Sequence, residues 1–153
     1  MKLRTEDNGS KNDNWETPEY IYIWLNKNIF NNKVFFDPCP LNANFDGLTM
    51  EWVDRNYINP PYTRKGKEAF ITKAYQESLK GKLCVLLIPA STETKIFHNI
   101  IVPNAQVYLI KERIKFKGFN SKNEYVTNKS GQSGSMFVIF GNGEPFIKAL
   151  ELI

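Results

Sequence analysis

The chain has little of the chemistry on which disulfide-bonded, metal-bound or membrane-spanning proteins depend. Its 153 residues include two cysteines, and neither Cys39 nor Cys84 has a metal-ligand spacing. So few cysteines argue against a disulfide framework and for a reducing compartment. No apolar run approaches the ~18 residues of a membrane span, and the N-terminus lacks the apolar segment of a signal peptide. These absences predict a cytoplasmic protein that has no resident metal.

Common catalytic signatures are missing as well. His98 is the single histidine and has no partners for a catalytic triad, so we interpret it as a surface or boundary residue. Cys39 has no base near it in the sequence, which makes it a packing residue or a cofactor neighbour and not a nucleophile. The turn at Gly141-Asn142-Gly143 lacks the helix and the GxGxxG pattern of a phosphate loop.

Composition and charge are those of one globular domain with a polyanionic partner. Hydrophobic residues make up 42% of the chain and charged residues 24%, which is enough to bury a real core. The net charge of +4 favours nucleic acid as a partner. We predict a flexible polar segment at residues 1–14 and a single domain at residues 15–153.

Periodicity predicts strands that alternate with helices, an α/β pattern. Thr17 as N-cap and Pro18 at the first helical position would open a helix whose apolar face includes Ile21 and Leu25. The remaining predicted elements are strands at 33–37 and 55–59, a helix at 66–80, a buried strand at 83–88, a helix capped by Thr92 at 92–101, a strand at 107–117, a polar loop at 119–134 and a strand at 135–140.

The predicted strand at 107–117 changes character midway. Its first half is apolar on both faces, and its second half alternates basic residues with Ile114 and Phe116. That pattern is typical of a strand that leaves a buried sheet and projects into solvent. With residues 135–140 as antiparallel partner, it predicts a compact fold with a mostly parallel sheet and an antiparallel C-terminal hairpin.

The most informative motif is Asn59-Pro60-Pro61-Tyr62, at the end of an apolar strand. Proline fixes φ near -65° and restricts the residue before it, so the motif is a stiff elbow with carbonyl oxygens in set directions. An amide precedes the elbow and an aromatic ring follows it, which suits a grip on a planar amino group. In an open α/β sheet ligands bind beyond the carboxyl ends of strands, where Asp37-Pro38-Cys39 also falls.

The elbow resembles the NPPY motif of S-adenosylmethionine-dependent amino-methyltransferases, and several residues near these strand ends would suit that cofactor. Asp37 would anchor an ammonium or hydroxyl group, and Asp46, before a glycine, the ribose or the adenine amine. Thr17-Pro18 and Trp15 precede the first helix, whose N-terminal amides would meet the cofactor carboxylate.

In this order, these motifs resemble the small phage-type DNA N6-adenine methyltransferases. The likeness runs from about residue 14 to 140 and includes residues 87–90 and 113–118. It implies a Rossmann-like methyltransferase fold in a bacterial or phage-infected cell and an enzyme that methylates adenine N6 in DNA. It also implies a base held by Asn59, Pro60, Pro61 and Tyr62, and a cofactor site built from Trp15, Thr17, Pro18, Asp37, Pro38, Cys39, Asn42 and Asp46.

Two departures from the family pattern stand out. No glycine-rich turn follows Asp37, which shifts the expected cofactor contacts to Pro38, Cys39 and Asn42. Lys111-Glu112-Arg113 stands where the family tends to have a glycine beside the arginine.

Basic residues after the elbow and on the projecting hairpin are the predicted contacts to phosphates. They are Arg64, Lys65, Lys67, Arg113, Lys115, Lys117, Lys122 and Lys129. The residues alone leave alternatives open: methylation of an RNA base, of cytosine N4 or of a glutamine amide, or a non-catalytic nucleic-acid-binding module. The recognition sequence and the oligomeric state are not predicted.

Overall fold

A computed structural model describes residues 15–119, 122–130 and 133–153, with side chains at positions 15, 119 and 127–130 not described. The predicted flexible segment 1–14 lies outside these ranges. The elements in chain order are β1 (Trp15–Glu16), α1 (Glu19–Asn28), β2 (Arg55–Ile58), α2 (Arg64–Ser78), β3 (Leu83–Pro89), a π-helical turn (Phe97–Ile101) that continues into α3 (Val102–Asn104), β4 (Ala105–Ile110), β5 (Lys115–Phe119), β6 (Tyr125–Ser130), β7 (Ser135–Phe140) and β8 (Phe146–Leu150).

The central sheet has five strands in the order β2-β3-β7-β4-β8. β2 pairs parallel with β3 and β4 pairs parallel with β8, while β7 runs antiparallel between β3 and β4. Four of the five strands therefore share one direction, as the predicted Rossmann-like α/β fold requires. The predicted pairing of residues 135–140 with the strand that starts near 107 is confirmed as β7 on β4.

A second sheet of three strands, in the order β1-β5-β6, accounts for the projecting hairpin. The predicted strand at 107–117 is divided, because Glu112 takes a left-handed φ of 68° between β4 and β5. Ile114 and Phe116 are buried, as their alternation indicates. Residues 119–134 are not one polar loop: β6 lies among them and pairs with β5. Tyr125, Val126 and Thr127 favour a strand, a signal that the surrounding polar residues obscure.

The first helix and strand differ from prediction in detail. Pro18, not Thr17, is the N-cap of α1, and it makes no side-chain capping hydrogen bond. The strand predicted at 33–37 is reduced to one parallel bridge, between Phe36 and Asn56. It is short because Asn31 and Asn32 have left-handed φ values of 52° and 59°, and because Pro38 on the other side has no N–H to donate.

Later elements show smaller differences. The helix predicted from Thr92 is capped by Thr94, whose hydroxyl accepts from Phe97 N at 3.3 Å. β8 is an additional strand at the sheet edge, and the sequence analysis does not predict it. None of the helices within the described ranges is both long and apolar enough to cross a lipid bilayer.

Two apolar clusters cover the two faces of the central sheet. One packs α2 and the π-helical turn against β3, β4 and β7. The other packs α1 against the opposite face and includes Ile114 and Phe116 near β5. Successive side chains of β2 point to opposite faces of the sheet, so Ile58 lies in the first cluster and Tyr57 in the second.

A buried carboxylate ties the loop before β2 to α2. Glu77 is 1% exposed and accepts hydrogen bonds from the Trp52 backbone N–H at 2.6 Å and from Lys82 Nζ at 2.9 Å. Lys80 Nζ adds an ion pair at 2.8 Å. Burial alone would raise the pKa of Glu77, but the hydrogen bonds from Lys80, Lys82 and Trp52 outweigh it and lower the pKa from 4.5 to about 2.

This pKa makes stability depend on pH. A carboxylate with a depressed folded-state pKa stabilises the fold fully above its unfolded pKa of 4.5, and the effect is lost as pH falls toward about 2. The shift corresponds to about 3 kcal/mol of unfolding free energy. We expect Glu77→Gln to have a lower free energy of unfolding than the wild type at pH 7. Below pH 4.5 its free energy of unfolding should fall less steeply than that of the wild type. Urea denaturation from pH 7 to 2.5 measures both, with exposed Glu144→Gln as control; a wild-type decline in Glu77→Gln would contradict the assignment.

Candidate functional site

The site lies where β2 and the neighbouring segment around Phe36 end. Phe36 N donates to Arg55 O, and Tyr57 N donates to Phe36 O, both at 2.9 Å. This parallel contact sets Asp37 beside Tyr57, so that Asp37 and Asn59 leave the sheet at the same edge. The predicted site requires this adjacency, and the structure has it.

The elbow after β2 is enclosed by protein. Asn59 is 3% exposed, and Pro60 and Pro61 are buried. α2 begins immediately afterwards, with Thr63 as N-cap accepting from Gly66 N at 3.3 Å. The strand, the prolines and the capped helix therefore hold the elbow from both sides.

Tyr62 joins the elbow to the second sheet. Its half-buried ring meets the Phe116 ring edge-on, with centroids 6.3 Å apart and planes at 73°. Phe116 belongs to β5 and is 3% exposed. The hairpin of basic residues is consequently packed directly against the motif's aromatic residue.

A short polar chain lies behind Asn59. Asn59 Nδ2 donates to Thr17 Oγ1 at 3.4 Å, and Thr17 Oγ1 shares a hydrogen bond of 2.8 Å with the Tyr57 hydroxyl. Asn59 Oδ1 is buried and accepts no hydrogen bond from the described residues. The amide is therefore bound through its nitrogen, on the side where α1 begins.

Tyr57 is the centre of this group, and the sequence analysis missed it. Burial raises the pKa of Tyr57 well above its usual value, and the nearby Tyr22, Asp37 and Tyr62 raise it further, while the hydrogen bond with Thr17 lowers it. The phenol is accordingly neutral and keeps its proton. The signal was available, because residues two apart on a strand share a face and Tyr57 precedes Asn59 by two.

Each of the two predicted acidic residues stabilises the turn in which it lies, through a hydrogen bond from the backbone two residues further on. Asp37 Oδ1 accepts from Cys39 N at 2.8 Å, and Asp46 Oδ1 accepts from Leu48 N at 3.0 Å. Both are half-buried. A β-carbon placed on Gly47 would lie 1.9 Å from Pro38 O, which shows how closely the two turns pack.

Trp52 connects these turns to the core. Its Nε1 donates to Gly47 O at 2.8 Å, while its backbone N–H donates to Glu77. The loop that carries Asp46 is thus anchored to α2 through a buried indole and a buried carboxylate.

The other predicted cofactor residues differ in their exposure. Pro18 and Pro38 are buried, and Asn42 is exposed with a left-handed φ of 54°. Cys39 is 1% exposed and packs in the cluster on the α2 face. The Trp15 side chain lies outside the described residues, although its backbone pairs with Gly118.

The predicted basic residues form two groups. Arg64, Lys65 and Lys67 lie in the first turn of α2 directly after the elbow, and burial lowers the pKa of Lys67 against the opposing effect of Glu68 and Glu93. The second group is on the hairpin, where three residues are exposed and Lys117 is half-buried. The three are Arg113, Lys115 and Lys122. The side chain of Lys129 lies outside the described residues.

A cavity of about 310 Å³ adjoins the first group at the end of β3. Arg64, Lys67 and Glu93 line it together with apolar side chains of α2, β3 and β7. No cluster of His, Cys, Asp or Glu within the described residues is arranged to hold a metal ion.

One protein-family model matches the chain, over residues 4–150, and its description is DNA N-6-adenine-methyltransferase (Dam). The match begins before β1 and ends at the last residue of β8, so it includes both sheets and every site residue described above. No curated protein matches the chain.

The contact between Gly47 and Pro38 makes a testable prediction. Gly47→Ala would drive a methyl group into the Pro38 carbonyl, which is backbone and cannot rotate away. We expect a loss of roughly 1–3 kcal/mol of unfolding free energy, measured by urea denaturation. Gly134→Ala is the matched control, because a β-carbon there meets nothing within 4 Å. Equal stability of the two variants would show that the turns are not packed as described.

Proposed function

Because the chain belongs to the DNA N-6-adenine-methyltransferase (Dam) family, we propose that it transfers a methyl group from S-adenosylmethionine to the N6 amine of adenine in DNA. The observation that carries the proposal is the parallel contact between Phe36 and Asn56. It sets the acidic turn at Asp37 and the elbow at Asn59 side by side at the carboxyl edge of the sheet. Ligands of open α/β sheets bind at that edge.

The chemistry of the acidic turns fits the cofactor. S-adenosylmethionine presents an ammonium group, ribose hydroxyls and an adenine amine, all of which donate hydrogen bonds. Asp37 and Asp46 are half-buried carboxylates that accept them. When bound, the cofactor supplies an activated methyl group on its sulfonium. The residues that the family resemblance implies would hold it are Trp15, Thr17, Pro18, Asp37, Pro38, Cys39, Asn42 and Asp46.

Asn59 and Pro60 would hold the target amine. The lone pair of an exocyclic adenine nitrogen is delocalised into the ring, which makes it a weak nucleophile. Two oxygens, Asn59 Oδ1 and the Pro60 carbonyl, would each accept a hydrogen bond from one N–H of this amine. Together they would favour a pyramidal nitrogen. Fixed dipoles aimed at charge that develops in the transition state lower the barrier without reorganising. The enclosed elbow supports this role, because Asn59 is 3% exposed.

Tyr62 would stack on the base after it leaves the duplex. Its own ring is held edge-on by Phe116, so the stacking face is set before the base arrives. Base stacking on an aromatic ring contributes roughly 1–3 kcal/mol. The target base would therefore be fixed by its edge at Asn59 and by its face at Tyr62.

The first test is direct methyl transfer. We expect labelled S-adenosylmethionine to methylate unmethylated DNA and mass spectrometry of the nucleosides to find N6-methyladenine. Label on RNA, on cytosine N4 or on a glutamine amide would identify one of the alternative substrates instead. Binding of DNA without cofactor binding would indicate a non-catalytic module.

A second prediction concerns Asn59. Asn59→Ala removes one of the two oxygens proposed to hold the amine, and we expect kcat to fall at least about 100-fold. Cofactor affinity should persist, because the acidic turns are untouched; isothermal titration with S-adenosylhomocysteine measures it beside the radiolabel assay. Asn99→Ala, at an exposed residue of the π-helical turn, is the control. Near-normal turnover in Asn59→Ala would discard the mechanism.

A third prediction concerns the DNA contact on β5. We expect Lys115→Glu with Lys117→Glu to weaken DNA binding and to lower the slope of log K against log salt by about 2. The control reverses Lys27, in the last turn of α1, and Lys33, which follows that helix; both are exposed, and α1 starts beside Asn59 and runs away from it. Fluorescence anisotropy at several salt concentrations measures both. An unchanged slope in the β5 variant would show that DNA binds to another face of the protein.

A further inference from the structure

We propose that Thr17 and Tyr57 are positioning residues that set which way the Asn59 amide faces. The inference rests on the proposed function, in which Asn59 accepts a hydrogen bond from the target amine. It differs from the role that the family resemblance implies for Thr17, which is contact with the cofactor.

An asparagine amide has two orientations that shape alone does not distinguish. Its oxygen and its NH₂ group are nearly the same size, but one accepts hydrogen bonds and the other donates them. Close packing around Asn59, which is 3% exposed, therefore fixes the plane of the amide and not its direction. A hydrogen bond to one of the two ends has to decide.

Thr17 provides that hydrogen bond. Asn59 Nδ2 donates to Thr17 Oγ1 at 3.4 Å, which turns Oδ1 away from Thr17. In the opposite orientation the NH₂ group would face the target amine, and two donors would meet where the reaction needs a donor and an acceptor. The barrier would then rise although every side chain stayed in place.

Tyr57 keeps Thr17 available as an acceptor. The two hydroxyls are 2.8 Å apart and share one hydrogen bond. Whichever oxygen donates in it, Thr17 Oγ1 retains a lone pair for the Asn59 N–H. Tyr57 is fully buried, and a buried hydroxyl is strongly disfavoured without a partner, so Tyr57 also holds Thr17 in place.

The geometry of the fold supports this assignment. Tyr57 lies on the face of β2 that packs against α1, Asn59 directly follows the end of that strand, and Thr17 precedes α1. β1 pairs with β5 through Glu16 and Lys117, which fixes the chain just before Thr17. The position of Thr17 beside the amide is therefore set by β1 before it, by α1 after it and by Tyr57 of β2.

The test compares Thr17→Val, which keeps the shape and removes the hydroxyl, with Thr17→Ser, which keeps the hydroxyl. We expect Thr17→Val to lower kcat roughly 10- to 100-fold through a misdirected catalytic group, and Thr17→Ser to restore most of it. The Kd for S-adenosylhomocysteine should stay near the wild-type value in both. Thr72→Val, at a half-buried residue of α2, controls for the loss of a threonine hydroxyl.

Three outcomes would overturn the inference. One is wild-type kcat in Thr17→Val. Another is a weakened cofactor Kd with unchanged kcat at saturation, which would restore the cofactor role for Thr17. The third is failure of Thr17→Ser to recover activity. Should Thr17→Val not fold, Tyr57→Phe decides: we expect a partial fall in kcat that Tyr108→Phe does not share, and an unchanged kcat would overturn the inference.

A structural readout separates this inference from the proposed function. The side-chain NH₂ signals of Asn59, assigned by their loss in Asn59→Ala, should show slow hydrogen exchange in the wild type and in Thr17→Ser. That protection should decrease in Thr17→Val. If the wild type transfers no methyl group to DNA, the proposed function fails, and the exchange data alone decide whether Thr17 directs the amide. Protection that persists in Thr17→Val would refute it.

Discussion

The site depends on a single parallel contact at the edge of the central sheet. Phe36 makes two backbone hydrogen bonds with β2, and without them Asp37 and Asn59 would have no common edge. Aromatic packing reinforces so short a contact. The Phe35 ring stacks on Phe30 at 4.8 Å and meets Tyr57 at 6.1 Å. Side-chain packing thus replaces the ladder hydrogen bonds that a longer strand would have made.

The loop that follows this contact is held by polar groups from behind. No helix or strand is found in residues 38–54 of the described chain, so its backbone groups must find other partners. Trp52 Nε1 donates to Gly47 O, and the Trp52 backbone N–H donates to the Glu77 carboxylate. The buried carboxylate is expensive to desolvate and is retained here beside three lysines. The hydrogen bonds to Glu77 fix the position of an irregular loop that carries Asp46, a predicted cofactor-binding residue.

How far the sequence predicted this structure varies with the kind of signal. The buried strand β3 and the helix α2 were predicted closely because long periodic patterns carry strong information. The segment at 33–37 was overestimated, because local propensity does not reveal that Asn31 and Asn32 turn the chain immediately before it. β6 was missed because its signal is three residues, Tyr125-Val126-Thr127, between polar neighbours. Glu112 stands where the family tends to have a glycine, and it has a left-handed φ of 68°. Glycine adopts such a φ without a steric penalty, so the family pattern indicates the turn that divides the predicted strand.

The candidate site shows the same division. Asn59 and Asp37 could be proposed directly as site residues, because their residue types and motifs indicate a chemistry. Tyr57 and Phe116 were treated as part of the strands, since an aromatic residue in a strand is usually core. Their contacts with Thr17 and Tyr62 arise from pairing between elements distant in sequence. Such contacts have no local pattern, and only the folded chain shows them.

The packing of Tyr62 on Phe116 also links binding to chemistry in the proposed function. Phe116 lies between Lys115 and Lys117 on β5, so any displacement of that strand by a phosphate backbone is felt at the tyrosine ring. The same strand pairs with β1, which leads directly into Thr17. DNA held on the hairpin would therefore press on both the face that stacks the base and the hydroxyl that directs the amide. In the proposed function, the surface that binds DNA lies on β5, and the residues that hold the base depend on the same strand through Phe116 and β1.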